Sequence, residues 1–347
     1  MPEAGNGGQV RVGVVGAGAF GRNHLRVYRE LERLGYPIEL AAVVDSNEAA
    51  RERATADFGV LGFATIEDCM AATHAELKPI HAASVCVPTV HHASCARTLM
   101  ACGIDLLIEK PLAANLEDAD EIVRLVREQG RTVQVGHLER FNPAVRAVRP
   151  LLNRPMFFEV HRLSVFTPRS LDVDVVLDLM IHDLDIVLSL VGAPVREVRA
   201  VGLPVLSNKV DIANVRLEFE NGCVANFTAS RVSTERVRKM RFFQPHQYLS
   251  LDFARQDLLL IDVTAAAGMD VAQMAALAGG GHPTAGMALK KVAVETGEPL
   301  RLEIESFLDA VRDRTEPVVT VEDGRAALGL ALEINASIAE HARRTGL

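Results

Sequence analysis

Lys110, Asp178 and His182 are the residues of this chain whose types and placement best suit proton movement on a substrate. Asp178 and His182 stand four apart in Leu177-Asp178-Leu179-Met180-Ile181-His182-Asp183-Leu184-Asp185, so on a helix their side chains share one face. The leucines, isoleucines and valines around them must look towards a core, where an Asp and a His are costly unless satisfied. A carboxylate nearby holds an imidazole and favours its charged form, and a neutral histidine accepts the proton of a hydroxyl undergoing oxidation. The plainer reading is a buried polar pair that only locks two domains together. Lys110 follows the apolar run Ile104–Ile108 in Glu109-Lys110-Pro111. In a doubly wound sheet, ligands lie beyond the carboxyl ends of the strands. A lysine there can hydrogen-bond a hydroxyl, and its charge stabilises an alkoxide. Pro111 biases Lys110 towards an extended backbone. The alternative is a surface lysine paired with Glu109.

The partner for such chemistry is announced by Gly16-Ala17-Gly18-Ala19-Phe20-Gly21, between the β-rich run Val10–Val15 and a helical pattern over 20–34. Gly16 permits the tight turn, Gly18 lets the backbone approach a pyrophosphate, and Gly21 lets helix and strand pack closely. The helix start offers unpaired N–H groups and a positive dipole end to phosphates. A second apolar run, Leu40–Val44, ends in Asp45. Its carboxylate can accept hydrogen bonds from the ribose hydroxyls and would repel a 2′-phosphate, which points to NAD rather than NADP. A nicotinamide site, a lysine and a histidine with a carboxylate partner together describe alcohol-to-ketone oxidation.

The elements that must position these residues alternate over the first 137 residues. Strands are expected at Val10–Val15, Leu40–Val44, Ala82–Val87, Ile104–Ile108 and Thr132–Val135, with helices near 20–34, 47–57, 66–74, 91–102 and 115–129. The strands are continuously apolar, as in a parallel sheet covered on both faces. From Met156 the strands lengthen and alternate: Phe157–Leu163, Glu197–Val205, Ala213–Phe219, Val224–Ser230, Lys239–Gln244 and Gln247–Phe253. Asn221-Gly222 marks a hairpin, and a helix over Val175–Val191 interrupts the strands. The expected fold is α/β: an N-terminal Rossmann domain, 9–137, with a doubly wound parallel sheet, after a flexible tail, 1–8. A C-terminal α+β domain, 138–347, with a large mostly antiparallel sheet would bind substrate and form a dimer or tetramer through that sheet. Helices are expected at 302–312 and 321–344, the latter returning towards the first domain. The Ala/Gly-rich segment 264–289 reads as a mobile segment near the site or interface or, equally, as a plain surface loop.

At 347 residues, with 49% hydrophobic residues and a net charge of −8, the chain suits two soluble domains and argues against a nucleic-acid-binding protein. The densest basic patch, Arg231, Arg236, Arg238, Lys239 and Arg241, reads first as the solvated face of a strand or turn, with contact to an anionic substrate or a neighbouring subunit as the alternative. Five cysteines in mostly apolar surroundings suit reduced thiols in the cytoplasm. Cys86, His91, His92 and Cys95 lack the spacing of a zinc finger, so no metal is expected. No signal peptide and no membrane-spanning run is seen.

The Gly16–Gly21 loop, Pro88-Thr89 with His92, Glu109-Lys110-Pro111 and the Asp178/His182 pair together resemble the Gfo/Idh/MocA oxidoreductase family, which acts on sugars and cyclitols. The resemblance covers essentially the whole chain. It implies that Lys110 and His182 are catalytic, with their roles exchangeable, that Asp178 binds substrate, and that Thr89, His92 and Glu109 lie along the cofactor. The segment Gly136-His137-Leu138-Glu139-Arg140-Phe141-Asn142-Pro143, with the runs Met180–Val187 and Leu251–Gln256, resembles the branch that oxidises UDP-N-acetylglucosamine to its 3-keto form for lipid A synthesis. Arg140, Asn142 and Arg169 would then suit a diphosphate or sugar hydroxyls, or serve as structural partners. Alternatives are a dehydrogenase of a UDP-sugar uronic acid, free sugar or inositol, and a non-enzymatic nucleotide-dependent regulator. The presence of Lys110, Asp178 and His182 together argues against the regulator.

Overall fold

A computed structural model of the chain describes residues 9–75, 78–166, 173–264, 269, 273 and 288–346. The tail 1–8, Arg169 and nearly all of segment 264–289 lie outside the described residues. The chain divides into two compact units, one running to Leu138 and including Glu298–Leu328, the other Glu139–Gly297 with Gly329–Leu347.

In the first unit, six short strands form one sheet: β1 (Val10–Val15), β2 (Ile38–Val44), β3 (Leu61–Phe63), β4 (Ala82–Val85), β5 (Asp105–Glu109) and β6 (Val133–Gly136). All pair in parallel, in the order β3-β2-β1-β4-β5-β6. The chain order reverses between β1 and β4, the switch point where a doubly wound sheet opens a crevice for ligands. The connecting helices are α1 (Ala19–Arg33), α2 (Glu48–Phe58), α3 (Ile66–Ala75), α4 (His92–Ala101) and α5 (Leu116–Gln129). These bounds stay within about two residues of the apolar patterns, in line with the known fraying of element ends. β3 was not anticipated, because three residues at a sheet edge are too short to show a pattern. Its Gly62 has room only for hydrogen, since a Cβ would lie 2.5 Å from the Thr55 side chain of α2.

Two C-terminal helices follow, α8 (Pro299–Asp313) and α9 (Val321–Thr345). Leu300, Ile304, Phe307, Leu308 and Val311 of α8 share one buried cluster with Leu25, Tyr28 and Leu31 of α1 and Val10, Val12 and Val14 of β1. Each fully buried large side chain contributes about 1.5–3 kcal/mol. This helix therefore belongs to the first unit's core although it lies 160 residues beyond β6 in sequence.

The second unit contains α6 (Pro143–Val148), α7 (Ile181–Val191) and an eight-stranded sheet. Its strands are β7 (Phe157–Val165), β8 (Val195–Leu203), β9 (Ile212–Phe219), β10 (Val224–Ser233), β11 (Val237–Gln244), β12 (Gln247–Asp252), β13 (Asp257–Asp262) and β14 (Ala288–Val292). The order is β14-β13-β12-β11-β7-β10-β9-β8, antiparallel except for β7 against β10. β13 is continuously apolar between two aspartates, and β14 takes up the end of the segment expected to be loop; neither was anticipated. Gly222 in the hairpin sits at φ +82°, which explains its glycine. Phe158, Val160, Phe227, Met240 and Phe242 face the core. On the other face Phe157 stands 5.9 Å from Phe243, and Phe243 5.1 Å from Tyr248, ring centre to ring centre.

The basic patch is a solvated face in part, with Arg236 and Lys239 exposed and only Arg231 drawn inside. Arg231 is buried and donates to Asp211 at 2.8 Å; Arg241 pairs with Glu159 and Lys239 with Asp252. Burial alone would raise the Asp211 pKa, but three backbone N–H groups, from Ser207, Leu206 and Val205, and the Ser207 hydroxyl outweigh it and hold the carboxyl well below its usual range. Because the folded value lies below the unfolded one, this stabilisation is complete above about pH 4 and is lost as pH falls through the folded value. Asp211→Asn should therefore lower unfolding free energy at neutral pH by about 2 kcal/mol, with the deficit shrinking in strong acid, as denaturant titrations at both pH values will show.

Candidate active site

The β1–α1 turn is built by backbone approaches that leave no room for side chains. Gly16 lies at φ +101°, and a Cβ on it would be 2.6 Å from the Cys86 carbonyl oxygen. A Cβ on Gly21 would be 1.8 Å from the Gly16 carbonyl oxygen. Gly18 is different, since a Cβ there would meet no protein atom within 4 Å. Gly18 caps α1 without a side-chain hydrogen bond, and the first turn, beginning at Ala19 and Phe20, carries no acidic residue. Open space at Gly18 beside uncapped helix N–H groups fits a pyrophosphate.

The turn borders a cavity of about 510 Å³ lined by Gly16, Gly18, Asp45, Thr65, Cys86 and His91, among others. Asp45, just past β2, is fixed within it. Its two carboxylate oxygens accept the N–H groups of Ala17 at 2.6 Å and Asn47 at 2.8 Å. A carboxylate held this way keeps lone pairs for ribose hydroxyls and presents negative charge where a 2′-phosphate would come. The residues present fit a dinucleotide with an unphosphorylated ribose.

Thr89 and His92 are not among the residues lining this cavity. Thr89 opens a short 3₁₀ turn, Thr89–His91, and its neighbour His91 reaches the cavity instead. His92 is buried with its ring nitrogens 3.0 Å from the carbonyl oxygens of Val87 and Pro111, and burial lowers its pKa. It braces the turn after β4 against the turn after β5. Glu109 is likewise buried, bound to His24 at 2.7 Å, with its other oxygen accepting the Lys110 N–H at 3.2 Å. Lys110 itself is half-buried at the carboxyl end of β5.

In the second unit the residues before α7 form a wide turn over Val176–Met180, closed by the Ile181 N–H on the Val176 carbonyl. Such single π turns recur at functional sites. The sequence pattern reads as plain α-helix, but four residues come close to a full turn in either geometry. Asp178 and His182, both half-buried, thus remain on one side. Asp174 caps this turn, accepting the N–H groups of Val176 and Leu177, and is held by Asn335 at 3.0 Å. Asp183, beside His182, receives two hydrogen bonds of 2.7 Å from Arg162 of β7, which also donates to Glu139 at 2.9 Å. The opposite charges and paired hydrogen bonds keep Arg162 charged despite its burial.

Arg140 and Asn142, expected at the substrate, have structural partners. Arg140 makes a buried two-pronged pair with Asp185 of α7 at 2.7 and 2.8 Å. Asn142 caps α6 and donates to Glu139 and to the Phe253 carbonyl. Among the described residues, His24, Cys86 and Glu109 bring potential metal-ligand atoms within 4.8 Å of one another. Both His24 nitrogens are engaged, by Ser84 and Glu109, and burial together with nearby Glu109 and Glu303 raises the Cys86 pKa well above its ordinary value, so this is a hydrogen-bonded set. His24, Arg162, Asp183 and Asn335 had no signal in the sequence, because their partners are distant along the chain, whereas Asp174 is a local cap that the helical pattern passed over.

A glycine turn at a switch point, an anchored acid at the end of β2 and a lysine past β5 define a dinucleotide-dependent oxidoreductase. Residues 10–137 match the oxidoreductase family with an NAD-binding Rossmann fold, and residues 145–244 match the GFO/IDH/MocA C-terminal domain. The chain belongs to the Gfo/Idh/MocA oxidoreductase family. It is 33% identical over 330 residues to the UDP-N-acetylglucosamine 3-dehydrogenase of Acidithiobacillus ferrooxidans, covering 95% of this chain and 97% of that protein. The solved structure of that enzyme superposes with a TM-score of 0.82 over 95% of this chain and 98% of the other, at 31% identity. An inositol 2-dehydrogenase of Rhizobium meliloti is 25% identical over 346 residues, covering 95% of this chain and 97% of that protein. Among the described residues, no helix is long and apolar enough to cross a membrane.

The two glycines predict separable outcomes. Gly21→Ala should weaken both folding and NADH binding. Gly18→Ala should leave the thermal midpoint within about 2 °C while raising the NADH dissociation constant at least about tenfold, as fluorescence titration will show.

Proposed function

We propose that this enzyme oxidises the 3-hydroxyl of UDP-N-acetylglucosamine to a ketone, with NAD as its oxidant. The observation that carries this reading is similarity to an enzyme of that name over 95% of the chain, both units included. Oxidation takes a proton from the hydroxyl oxygen and a hydride from the carbon that bears it. His182 takes the hydroxyl proton in its neutral form. Lys110 can hydrogen-bond a substrate hydroxyl, and its charge stabilises a developing alkoxide. Asp178 orients the imidazole and the sugar. NAD, when bound, accepts the hydride from C3 at its nicotinamide ring. The anchored Asp45 favours NAD over NADP. Arg169 remains a candidate for the diphosphate.

The product's use in amino-sugar synthesis for lipid A and a cytoplasmic location go with this reading. So does assembly into a dimer or tetramer through the outer sheet face, where Phe157, Phe243 and Tyr248 cluster. Light scattering should give more than one chain per particle, and Phe243→Glu should shift it towards the monomer.

Incubation with NAD and, in turn, UDP-N-acetylglucosamine, its uronic acid, glucose and myo-inositol tests the substrate. NADH should form fastest with UDP-N-acetylglucosamine, and no NADH with either UDP-sugar would remove this assignment. Lys110→Ala and His182→Ala should each lower kcat by about a hundredfold or more. Near-normal turnover in both would overturn the mechanism.

A further inference from the structure

Beneath the carboxyl end of β5 lies a row of buried polar side chains for which the proposed chemistry has no use. Tyr28 and His24 sit one turn apart on α1, Ser84 on β4 and Glu109 on β5. Tyr28 Oη is 2.8 Å from Ser84 Oγ, and Ser84 Oγ is 3.0 Å from His24 Nδ1. His24 Nε2 is 2.7 Å from Glu109 Oε1, and Glu109 Oε2 accepts the Lys110 N–H at 3.2 Å. Tyr28, His24 and Ser84 are fully buried and Glu109 is 6% exposed.

The row has one fully satisfied hydrogen assignment. Burial keeps the Tyr28 hydroxyl protonated, so it donates to Ser84. Ser84 then donates to His24 Nδ1, and His24 Nε2–H donates to the Glu109 carboxylate. Every buried donor finds an acceptor, as buried polar groups require. The packing around Glu109 is equally close. A Cβ on Gly136 of β6 would lie 3.0 Å from Glu109 Cα, Cδ and Oε2. A side chain at 136 would therefore press on Glu109, and glycine leaves its carboxylate room beside His24.

We propose that His24 is a positioning residue for Lys110. It holds the Glu109 carboxylate against the Lys110 backbone amide, and so fixes the point from which the Lys110 ammonium reaches the substrate. Because His24 stands on α1, it ties that point to the helix that receives the cofactor phosphates. Misplacing a catalytic group by about 1 Å costs on the order of a hundredfold in rate, so a buried brace of this kind acts on turnover. The inference rests on the reading of Lys110 as catalytic.

Two substitutions separate the two sides of the ring. In His24→Gln the side-chain amide nitrogen falls near the Nε2 position and keeps a donor for Glu109. In His24→Asn the amide falls near Nδ1, meeting Ser84 and leaving Glu109 without its donor. With UDP-N-acetylglucosamine and NAD, His24→Asn should lower kcat about 10–100-fold while the NADH dissociation constant stays within about threefold. His24→Gln should keep kcat within about threefold of the parent enzyme. Equal losses in the two variants, or a kcat for His24→Asn within about twofold of the parent, would overturn the proposal. Should His24→Asn not fold, Glu109→Gln, which conserves volume, replaces it with the same expected loss, and an unchanged kcat there is equally fatal. Lys110→Ala measured alongside keeps the two readings apart. Full activity in Lys110→Ala refutes the lysine's role, whereas loss in Lys110→Ala with retention in His24→Asn refutes the brace alone.

Discussion

The first unit depends on one close approach, that of the Gly21 backbone to the Gly16 carbonyl. With only 1.8 Å for a Cβ, any side chain at 21 would lift α1 away from the turn. Three consequences follow from its being glycine. The helix N–H groups point into open space at Gly18, where a pyrophosphate fits. Ala17 comes within 2.6 Å of Asp45, fixing that carboxylate beside the turn. His24, the sixth residue of α1, comes within reach of Glu109 beside Lys110. A single close contact thus sets the glycine turn, the Asp45 carboxylate and the buried group beside Lys110 together.

The second unit solves its positioning problem with buried charge. Arg162 holds Asp183 and Glu139, and Arg140 holds Asp185, so α7 is fastened through residues one and three after His182. Buried pairs of this kind contribute little net stability, because desolvation cancels much of the attraction, but losing one partner is severe. Their value lies in geometry, since paired guanidinium bonds fix a helix in rotation as well as in place. The wide turn at Val176–Met180, capped by Asp174, sets where Asp178 stands relative to that anchored helix.

Much of the architecture was legible in the sequence because burial on both faces of a parallel sheet leaves continuous apolar runs. The turn made by Gly16, Gly18 and Gly21 and the position of Asp45 after β2 were legible as well, since they belong to a local strand–turn–helix unit. What stayed hidden was non-local or aperiodic. β3 is three residues long, and α8 joins α1 across most of the chain. Arg140, Asn142 and His92 were read by residue type, and the sequence alone offered no view of the hydrogen bonds they make to Asp185, the Phe253 carbonyl and the Pro111 carbonyl. Residue type alone does not separate a ligand-binding arginine from one that braces a helix, since both need a carboxylate or phosphate in the fork of the guanidinium.

The central claim is that hydride leaves C3 of a UDP-sugar for the nicotinamide. UDP-N-acetylglucosamine carrying deuterium at C3, incubated with the enzyme and NAD, tests it by mass spectrometry. The account predicts deuterated NADH and a UDP-sugar ketone without the label. Label retained in the sugar while NADH forms would contradict it.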